Sequence, residues 1–507
     1  MAEILVAMIV IPLLFHNEKI KFLIMNKNCI AAVIVSLLSL VFSAAKSQNT
    51  SRGLPNVIVI FMDDMGNGDL SCTGALEYET PAIDQLAREG IRFTNFLDAQ
   101  AVCSASRAGL LTGCYPNRIG ITGALFPNSK VGLNSNEITI AEMLKTKGYS
   151  TAIVGKWHQG DSKPFLPLQQ GFDEYFGLPY SNDMWPVDFH GQPATDDRKV
   201  RFPALYIFEG NEKKIPVTTL DDQAQLTRLY TERAISFIKG NRAKPFFLYL
   251  AHSMPHVPIN ASPKFKGKSK QGLYGDVMME VDWSVSEIMK TLRETNLDKN
   301  TLVIFTSDNG PWLNFGNHAG STGGLREGKG TSFEGGLRVP CIMRWSGVIK
   351  EGLITNSLAT TMDIFPTLAE YAGVNVRHKI DGVSLLPILK GEVSATPREE
   401  FYYYYKSNSL EAVRWHDWKL ILPHPSRSYE NFDVGKDGLP GPVSETVQVP
   451  QALYDLRRDA GERYDVQKQY PDIMEKLLQL AEKARADLGD EITNRTGPNR
   501  REPGRID

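Results

Sequence analysis

The chain of 507 residues is poor in cysteine, in net charge and in long apolar runs, and each shortage excludes a class of protein. Five cysteines are too few for the disulfide framework of a small secreted domain. A formal net charge of -2 gives no basis for binding nucleic acid or an anionic membrane surface. No apolar run reaches the ~20 residues that span a bilayer. We therefore expect a protein built on its own apolar core, with no nucleic-acid partner and no stable membrane span in the mature chain.

The sequence pattern of residues 1–45 indicates an N-terminal extension followed by a signal peptide. Apolar runs cover residues 4–15 and 30–42, and small residues end the second run at Ala45. We predict that the true start is Met25, that cleavage falls near Ala45, and that the protein is exported. Its destination would be a periplasm or the cell exterior, or the secretory pathway and lysosome of a eukaryote. A retained membrane anchor is the alternative.

Apolar runs alternate with helical patterns along the larger part of the chain. The predicted strands lie at residues 54–62, 91–96, 150–154, 245–251 and 302–305, and the predicted helices at residues 80–90, 138–148 and 276–297. Nearly continuous apolar strands are typical of a parallel sheet that is covered on both faces. The alternation therefore predicts an α/β fold with a large, mostly parallel mixed sheet flanked by helices.

The pattern changes after Gly391 to short, aromatic runs that are typical of antiparallel strands. These strands are predicted at residues 401–405, 412–415, 418–422 and 453–456, and a helix follows at residues 473–488. We therefore expect a smaller C-terminal α+β subdomain built on an antiparallel sheet. The predicted boundaries are a large domain at 52–395, the subdomain at 396–490 and a polar tail at 491–507, disordered after Asn494.

Two adjacent carboxylates, Asp63 and Asp64, come directly after the first buried strand. Ligands of open α/β sheets gather at the carboxyl ends of the strands. Two such charges repel each other unless a cation neutralises them, and oxygen ligands of this kind suit Ca²⁺ or Mg²⁺. The pair alone leaves two possibilities open, a metal site and a solvated turn.

A second candidate site is the segment Cys-Ser-Ala-Ser-Arg-Ala-Gly-Leu-Leu-Thr-Gly at residues 103–113. It predicts a helix that begins near Ser104, with Ser104 and Ser106 available as first-turn caps. Arg107 then shares a helix face with Cys103. A helix N-terminus with a guanidinium suits an oxyanion such as sulfate or phosphate. A buried structural cysteine before a core helix is the alternative.

This segment resembles the signature of type I, formylglycine-dependent sulfatases, C-x-(P/A)-S-R followed by x-x-x-L-T-G. Four more segments resemble motifs of the same family, in the family's order: G-K-W-H-Q-G at 155–160, H-V-P at 256–258, S-D-N-G-P at 307–311 and G-K-G-T-S-F-E-G-G-L-R-V-P at 328–340. The sequence is thus similar to the arylsulfatase A-like branch of the alkaline phosphatase superfamily. The resemblance implies an alkaline phosphatase-like fold and sulfuric ester hydrolysis.

The resemblance also implies two additions to the chain. A formylglycine-generating enzyme would convert Cys103 to formylglycine (3-oxoalanine), whose hydrate is the nucleophile in this family. One Ca²⁺ ion would be bound by five residues, namely Asp63, Asp64, Asp308, Asn309 and the modified residue 103.

Catalytic and substrate-binding roles follow from the same resemblance. Arg107, Lys156 and His256 are implied to hold the sulfate oxygens. Lys329, with His256, would stabilise or protonate the departing alcohol, and His158 would take the proton of the hydroxyl that remains.

The substrate is expected to be a sulfate monoester, of a sulfated carbohydrate or an aryl alcohol. Residues 171–185 are expected to line the mouth of the pocket, and Ser181 is a candidate contact for sulfate or a sugar. Residues 198–222 resemble a family-variable insertion. Two alternatives stay open: a phosphonate or phosphate monoester hydrolase on the same scaffold, and an inactive calcium-dependent binding module whose Cys103 is unmodified.

Overall fold

The computed structural model describes residues 53–392 and 394–506. The predicted signal segment, residues 1–45, lies outside the described residues. Within the described ranges, no helix has both the length and the apolar character needed to cross a bilayer.

The large domain alternates strands with helices, as its apolar pattern predicts. Its strands are β1 (Asn56–Met62), β2 (Ile91–Phe93), β3 (Phe96–Leu97), β4 (Val131–Gly132), β5 (Ser150–Gly155), β6 (Glu174–Gly177), β7 (Leu205–Glu209), β8 (Glu212–Val217), β9 (Phe246–Ala251), β10 (Thr301–Ser307), β11 (Cys341–Arg344), β12 (Leu353–Thr355) and β13 (Ala359–Thr360). Its helices are α1 (Pro81–Arg88), α2 (Cys103–Thr112), α3 (Ile140–Lys145), α4 (Leu220–Gln223), α5 (Leu226–Gly240), α6 (Leu273–Glu294), α7 (Glu334–Leu337), α8 (Ile364–Ala372) and α9 (Leu386–Leu389).

Ten of these strands form one mixed sheet in the described part of the chain, in the order β12-β2-β11-β10-β1-β9-β5-β6-β7-β8. Its centre is parallel, because β1 pairs in parallel with both β10 and β9, and β9 with β5. The antiparallel pairs lie towards the edges, where β11 joins β10 and β7 joins β6. The predicted large mixed sheet flanked by helices is confirmed.

The central strand β1 is apolar along its length because both of its faces are buried. Ile58 and Ile60 belong to a core that includes residues of α5 and α6. Val57 and Val59 belong to a second core that includes residues of α2, α3 and α8. Successive side chains of a strand point to opposite faces of the sheet, so a continuous apolar run is what a sheet covered on both sides requires.

One detail of the large domain differs from the prediction, and a second adds to it. Helix α3 is shorter than residues 138–148, because Thr139 accepts a hydrogen bond from the Glu142 amide and fixes the helix start at Ile140. The predicted variable insertion at 198–222 carries β7 and β8, which extend the main sheet.

The C-terminal part contains a four-stranded antiparallel sheet, as predicted. Its elements are β14 (Glu400–Tyr405), β15 (Ser409–Trp415), β16 (Trp418–Ile421), β17 (His424–Ser428), β18 (Ser444–Val449), β19 (Ala452–Asp455), α10 (Pro471–Leu488), β20 (Gly489–Asp490), β21 (Arg495–Thr496) and β22 (Gly504–Arg505). The sheet order is β14-β15-β16-β19, and its core also takes in apolar residues of α10. The boundary predicted between residues 395 and 396 stays a prediction.

The expected disorder after Asn494 is wrong. Strand β22 pairs with β4 of the large domain, and Arg501 makes two hydrogen bonds to the carboxylate of Glu137, at 2.7 and 2.8 Å. This polar segment has no apolar pattern from which its order could be predicted. Backbone pairing and a bidentate ion pair can nevertheless order it.

Candidate active site

Four predicted oxygen donors meet at the carboxyl ends of β1 and β10. The parallel pairing sets Met62 beside Ser307, so the residues that follow the two strands are neighbours. The backbone amide of Asp64 donates to Asp308 Oδ1 at 3.1 Å. The side-chain amide of Asn309 donates to Asp64 Oδ1 at 2.7 Å. The register of two buried strands therefore builds this polar cluster, and Asp63 belongs to it, as its contacts with neighbouring cations show.

Three cationic side chains balance the carboxylates of this cluster. Their contacts are Lys156 Nζ to Asp63 Oδ2 at 2.5 Å, Lys329 Nζ to Asp64 Oδ1 at 2.7 Å and Arg107 Nη2 to Asp308 Oδ2 at 2.7 Å. These groups are almost completely buried. A buried ion pair is costly unless each charge has an oppositely charged partner. The one-to-one pairing of these cations and carboxylates therefore allows charged side chains to lie in the interior.

Two oxygen atoms of the cluster make no hydrogen bond within the described residues, although both are buried: Asp63 Oδ1 and Asn309 Oδ1. One oxygen from each of Asp63 and Asp64 and a ring nitrogen of His256 lie within 4.8 Å of one another. Buried oxygens without a partner are costly, and hard cations prefer such ligands. The donor set therefore fits a Ca²⁺ or Mg²⁺ ion.

The charges around Asp63 fix its protonation state. Burial alone would raise the pKa of Asp63, but Lys156, His256 and Arg107 outweigh it and hold the pKa well below its usual range. Asp63 is therefore a carboxylate at neutral pH.

Cys103 is the first residue of α2, and Arg107 follows it one turn later on the same face. The predicted caps are wrong: the helix starts one residue earlier than expected, and no side chain caps it. Ser104 Oγ instead accepts a hydrogen bond from the Leu125 amide at 2.9 Å. Burial raises the pKa of the Cys103 thiol despite the charges of Lys156 and Lys329. The unmodified thiol is thus neutral and a poor nucleophile.

The guanidinium of Arg107 forms hydrogen bonds with neighbouring protein groups. Its guanidinium donates to Asp308 through Nε and Nη2, and through Nη1 to the backbone carbonyl of Lys156 at 3.3 Å. Its side chain is fully buried. This geometry holds Asp308 in place and links the end of β10 to the end of β5.

His158 follows β5 in a left-handed backbone conformation, with φ of 60°. Its Nε2 lies 2.8 Å from the carbonyl of Leu125 and therefore carries the proton, which leaves Nδ1 as an acceptor. Nδ1 is buried and has no hydrogen-bond partner among the described residues. Burial and the charges of Lys156 and Arg107 lower the pKa of His158 well below its usual range. The ring is a neutral base with a free lone pair.

His256 and His252 follow β9 but have different surroundings. His256 Nδ1 donates to the Val257 carbonyl at 2.6 Å, and its Nε2 lies 3.6 Å from Asp64 Oδ2. His252 is buried against Ser284, with 3.2 Å between Nε2 and Oγ. Of the two, only His256, the histidine of the H-V-P motif, lies on the carboxylate cluster.

A cavity of about 670 Å³ opens above this cluster. Cys103, Ser181, His256 and Lys329 are among its lining residues. Ser181 Oγ accepts a hydrogen bond from Lys156 Nζ at 3.1 Å, so it connects the cavity to the buried lysine. The predicted site residues therefore lie together, some on the cavity wall and the rest directly beneath it.

Several lining residues were not predicted. Trp312 lies under Lys329, with 4.6 Å from Nζ to the ring centroid, and beside the His256 ring at 5.6 Å. Trp312 directly follows the Ser-Asp-Asn-Gly-Pro motif, and this position could have identified it as a site residue. Pro503 and Arg505 also line the cavity. They belong to the polar tail, and nothing in the sequence around them indicates a site.

Comparison with known proteins identifies relatives over nearly the whole described chain. The model of the family described as sulfatase matches residues 55–374, and the one described as the C-terminal region of aryl-sulfatase matches residues 396–501. The chain is 37% identical to N-acetylgalactosamine-6-sulfatase of Mus musculus, over 86% of each sequence. It is 36% identical to arylsulfatase A of Homo sapiens, over 84% of this chain and 87% of the relative.

A solved structure gives the same picture. The crystal structure of the PsFucS1 sulfatase from Pseudoalteromonas sp. superimposes with a TM-score of 0.77 at 28% identity, covering 88% of this chain and 93% of that one.

Proposed function

Since this chain belongs to the sulfatase family and is a sulfuric ester hydrolase, we propose that it cleaves sulfate monoesters with a formylglycine made from Cys103 and a bound Ca²⁺ ion. One observation carries the proposal. Cys103 lines the cavity together with Lys329 and His256, directly above the carboxylates of β1 and β10.

The state of the Cys103 thiol supports its conversion to formylglycine. A buried thiol with a raised pKa is protonated at neutral pH and is a weak nucleophile. The hydrate of formylglycine would instead supply an oxygen nucleophile towards sulfur. A formylglycine-generating enzyme is therefore the proposed partner during maturation.

Asp63, Asp64, Asp308, Asn309 and residue 103 would hold the Ca²⁺ ion. Asp63 Oδ1 and Asn309 Oδ1 are buried and accept no hydrogen bond within the described residues, which supports this assignment, because a hard cation would satisfy them. Bound there, the ion would supply positive charge for the sulfate oxygens.

Lys156 and His256 are proposed to hold the sulfate group. Lys156 reaches the cavity through Ser181, and His256 lines it directly. Arg107 is proposed to act differently from the role that the family resemblance implies. Its hydrogen bonds go to Asp308 and to the Lys156 carbonyl, so it positions these two residues and adds positive charge beneath the sulfate.

Lys329 is proposed to stabilise the departing alcohol oxygen. Burial alone would lower its pKa, but the carboxylate of Asp64 outweighs burial and raises it. Lys329 therefore stays an ammonium group and donates a hydrogen bond, while burial keeps His256 neutral by lowering its pKa. His158 is proposed as the base that accepts a proton at Nδ1 after the alcohol has left.

The proposed substrate is a sulfated carbohydrate, delivered to an exported enzyme. The name of the mouse relative refers to a sulfated amino sugar, and the cavity is large enough for more than a sulfate group. Ser181 would contact the sulfate or the sugar from the cavity wall.

The test is the mass of the tryptic peptide that contains Cys103, measured on protein from a host that modifies cysteine in sulfatases. Formylglycine is about 18 Da lighter than cysteine, since oxygen replaces sulfur and two hydrogens are lost. We expect the lighter peptide, together with hydrolysis of an aryl sulfate in preference to the matched aryl phosphate.

The matched variants are Cys103→Ser and Cys72→Ser. In a host that oxidises only cysteine, Cys103→Ser should lose activity by more than about 10³-fold, whereas Cys72→Ser should keep it. Full activity with an unmodified peptide would refute the formylglycine. An unmodified and inactive wild-type protein would favour the binding module.

A further inference from the structure

The cavity carries more positive charge than one sulfate group needs. Its lining contains one carboxylate, Asp183, and five cationic side chains, namely Arg198, Lys329, Lys406, Arg427 and Arg505. A sulfate monoester carries a single negative charge, and Lys329 with the buried Lys156 already faces it. Cationic clefts with low-dielectric walls attract anions strongly. The other four cations, which we call the rim (Arg198, Lys406, Arg427 and Arg505), are more than one sulfate group requires.

Most rim residues have partners within the protein. Arg427 pairs with Glu445 at 2.6 Å, and Lys406 donates to the Glu445 carbonyl at 2.6 Å. Arg198 lies over the ring of Phe126, with 5.5 Å to the centroid.

Arg505 is the exception. Its ion pair with Glu502 is long at 3.8 Å, and the two side chains are 66% and 85% exposed. Exposed pairs of this kind contribute little energy. Arg505 is therefore the rim cation that a ligand can engage at the least cost.

The backbone that carries Arg505 is fixed at several points. Gly504 pairs with Gly132, and Arg505 pairs with Val131, itself a lining residue. The next amide, of Ile506, donates to the Lys130 carbonyl at 3.0 Å. Before the strand, Arg501 binds both carboxylate oxygens of Glu137.

Pro503 closes this segment against the cavity wall. It packs so tightly on Gly120 that a Cβ placed at Gly120 would lie 2.4 Å from the Pro503 ring. Gly120 also has a φ of 73°, a conformation that favours glycine. The tail is therefore a built part of the cavity wall, and Arg505 projects from a defined strand.

We propose that Arg505 binds a second anionic group of the substrate, a carboxylate or a second sulfate on a sugar next to the one that carries the scissile sulfate. The proposal rests on the proposed function, since it concerns the same cavity. The substrate class is then an acidic sulfated oligosaccharide, and Arg505 determines specificity without taking part in bond cleavage.

The test uses three sulfated disaccharides that differ only in the neighbouring sugar, which is neutral, carries a carboxylate, or carries a second sulfate. The enzyme is the mature, formylglycine-containing protein. The wild-type protein should show a KM about tenfold lower for at least one of the two acidic substrates, the size expected for one charge-assisted hydrogen bond. Arg505→Gln should remove that preference and leave kcat, and the KM for the neutral substrate, within about twofold.

Two further variants control for charge and for folding. Arg495→Gln removes the same charge from the exposed strand β21. Arg495 forms an ion pair with Glu482, and neither residue lines the cavity. This variant should keep the preference. Arg505→Lys should keep most of it. High salt should weaken the preference in the wild-type protein.

Three outcomes would overturn the proposal: no preference for either acidic substrate in the wild-type protein, a preference that survives in Arg505→Gln, or equal loss of preference in Arg505→Gln and Arg495→Gln. Failure to cleave any of the three sulfates, including the neutral one, would instead count against the proposed function. The carboxylate and second-sulfate substrates together identify which anionic group Arg505 takes.

Discussion

The hydroxyl of Tyr429 donates a hydrogen bond of 2.5 Å to the backbone carbonyl of Lys329. Glu327, two residues before Lys329, accepts hydrogen bonds from the Ser428 hydroxyl at 2.6 Å and the Tyr429 amide at 2.8 Å. On the other side, the Gly330 amide donates to the Ala101 carbonyl at 2.8 Å. The C-terminal part of the chain thus fixes the segment that presents Lys329 to the cavity.

Tyr429→Phe should weaken the action of Lys329 without removing its charge. Loss of one hydrogen bond of about 1 kcal/mol predicts a fall in kcat/KM of about fivefold. The fall should be larger for aryl sulfates with poor leaving groups, because the ammonium group is proposed to stabilise the departing oxygen. A series of aryl sulfates of increasing phenol pKa measures this dependence.

Tyr464→Phe is the matched control, since Tyr464 is 71% exposed in the same part of the chain. It should leave the whole series unchanged. An equal fall for every leaving group in Tyr429→Phe would indicate a general loss of structure and contradict the positioning role.

Asp63→Asn should abolish Ca²⁺ binding and activity together, because it removes a carboxylate from the proposed ligand set. The wild-type protein should lose activity after chelation and regain it with Ca²⁺. At a Ca²⁺ concentration of 100 times Kd, binding should stabilise the fold by about 2.7 kcal/mol, which a thermal unfolding curve detects. The metal-free protein should stay folded, because Lys156 pairs with Asp63.

The control for this prediction is Asp472→Asn, which removes an exposed carboxylate in the first turn of α10. It should behave as the wild-type protein in both measurements. Equal Ca²⁺-induced stabilisation of Asp63→Asn and the wild-type protein would show that the ion binds elsewhere.

His158 and His256 should fail at different stages of the reaction. His158→Ala removes the proposed base, the unpaired Nδ1, but leaves the contacts around the sulfate. It should release about one equivalent of alcohol per enzyme in a burst, followed by turnover that is slower by a factor of 10² or more. His256→Ala should lower the burst itself and raise KM, because His256 lines the cavity where the sulfate binds. Rapid-quench measurements with an aryl sulfate separate the two, and a burst only in His256→Ala would mean that the roles are reversed.

The sequence predicted those parts of the site that follow directly from buried strands. Asp63 and Asp308 come at the ends of apolar runs, and parallel pairing brings such ends together. The sequence did not predict which of these carboxylates pairs with Lys156 and which with Arg107. That choice depends on side-chain geometry across four separate elements.

Sequence reasoning was least informative where long-range polar contacts determine the structure. The tail has no apolar periodicity, and its order depends on Arg501 contacting Glu137, a residue far away in the chain. Ser104 offered a cap by its residue type, but the Leu125 amide uses its hydroxyl instead. Residue types alone do not state which of two possible partners a hydroxyl takes.

A buried pair in the C-terminal sheet gives a pH-dependent prediction. Glu411 of β15 is buried, and its Oε2 lies 3.3 Å from His424 Nε2. Burial raises the pKa of Glu411 to about 8, against smaller lowering effects of Ser332 and Lys406. Burial also lowers the pKa of His424, whose Nδ1 donates to the Leu422 carbonyl at 2.7 Å. At neutral pH, the buried Glu411 is therefore a neutral carboxylic acid beside a neutral imidazole.

The wild-type protein should lose stability as the pH rises, and Glu411→Gln should not show this loss. In the unfolded chain the pKa of glutamate is near 4.5, so the folded state binds the proton more tightly, and stability falls between about pH 4.5 and pH 8. Between pH 6 and pH 8, the free energy of unfolding should fall by roughly 2 kcal/mol more in the wild-type protein than in Glu411→Gln, whose neutral amide does not titrate in this range. Urea unfolding at several pH values measures this difference. Glu475→Gln, on the exposed face of α10, should follow the wild-type curve. Parallel curves for the wild-type protein and Glu411→Gln would show that Glu411 is ionised in the folded state.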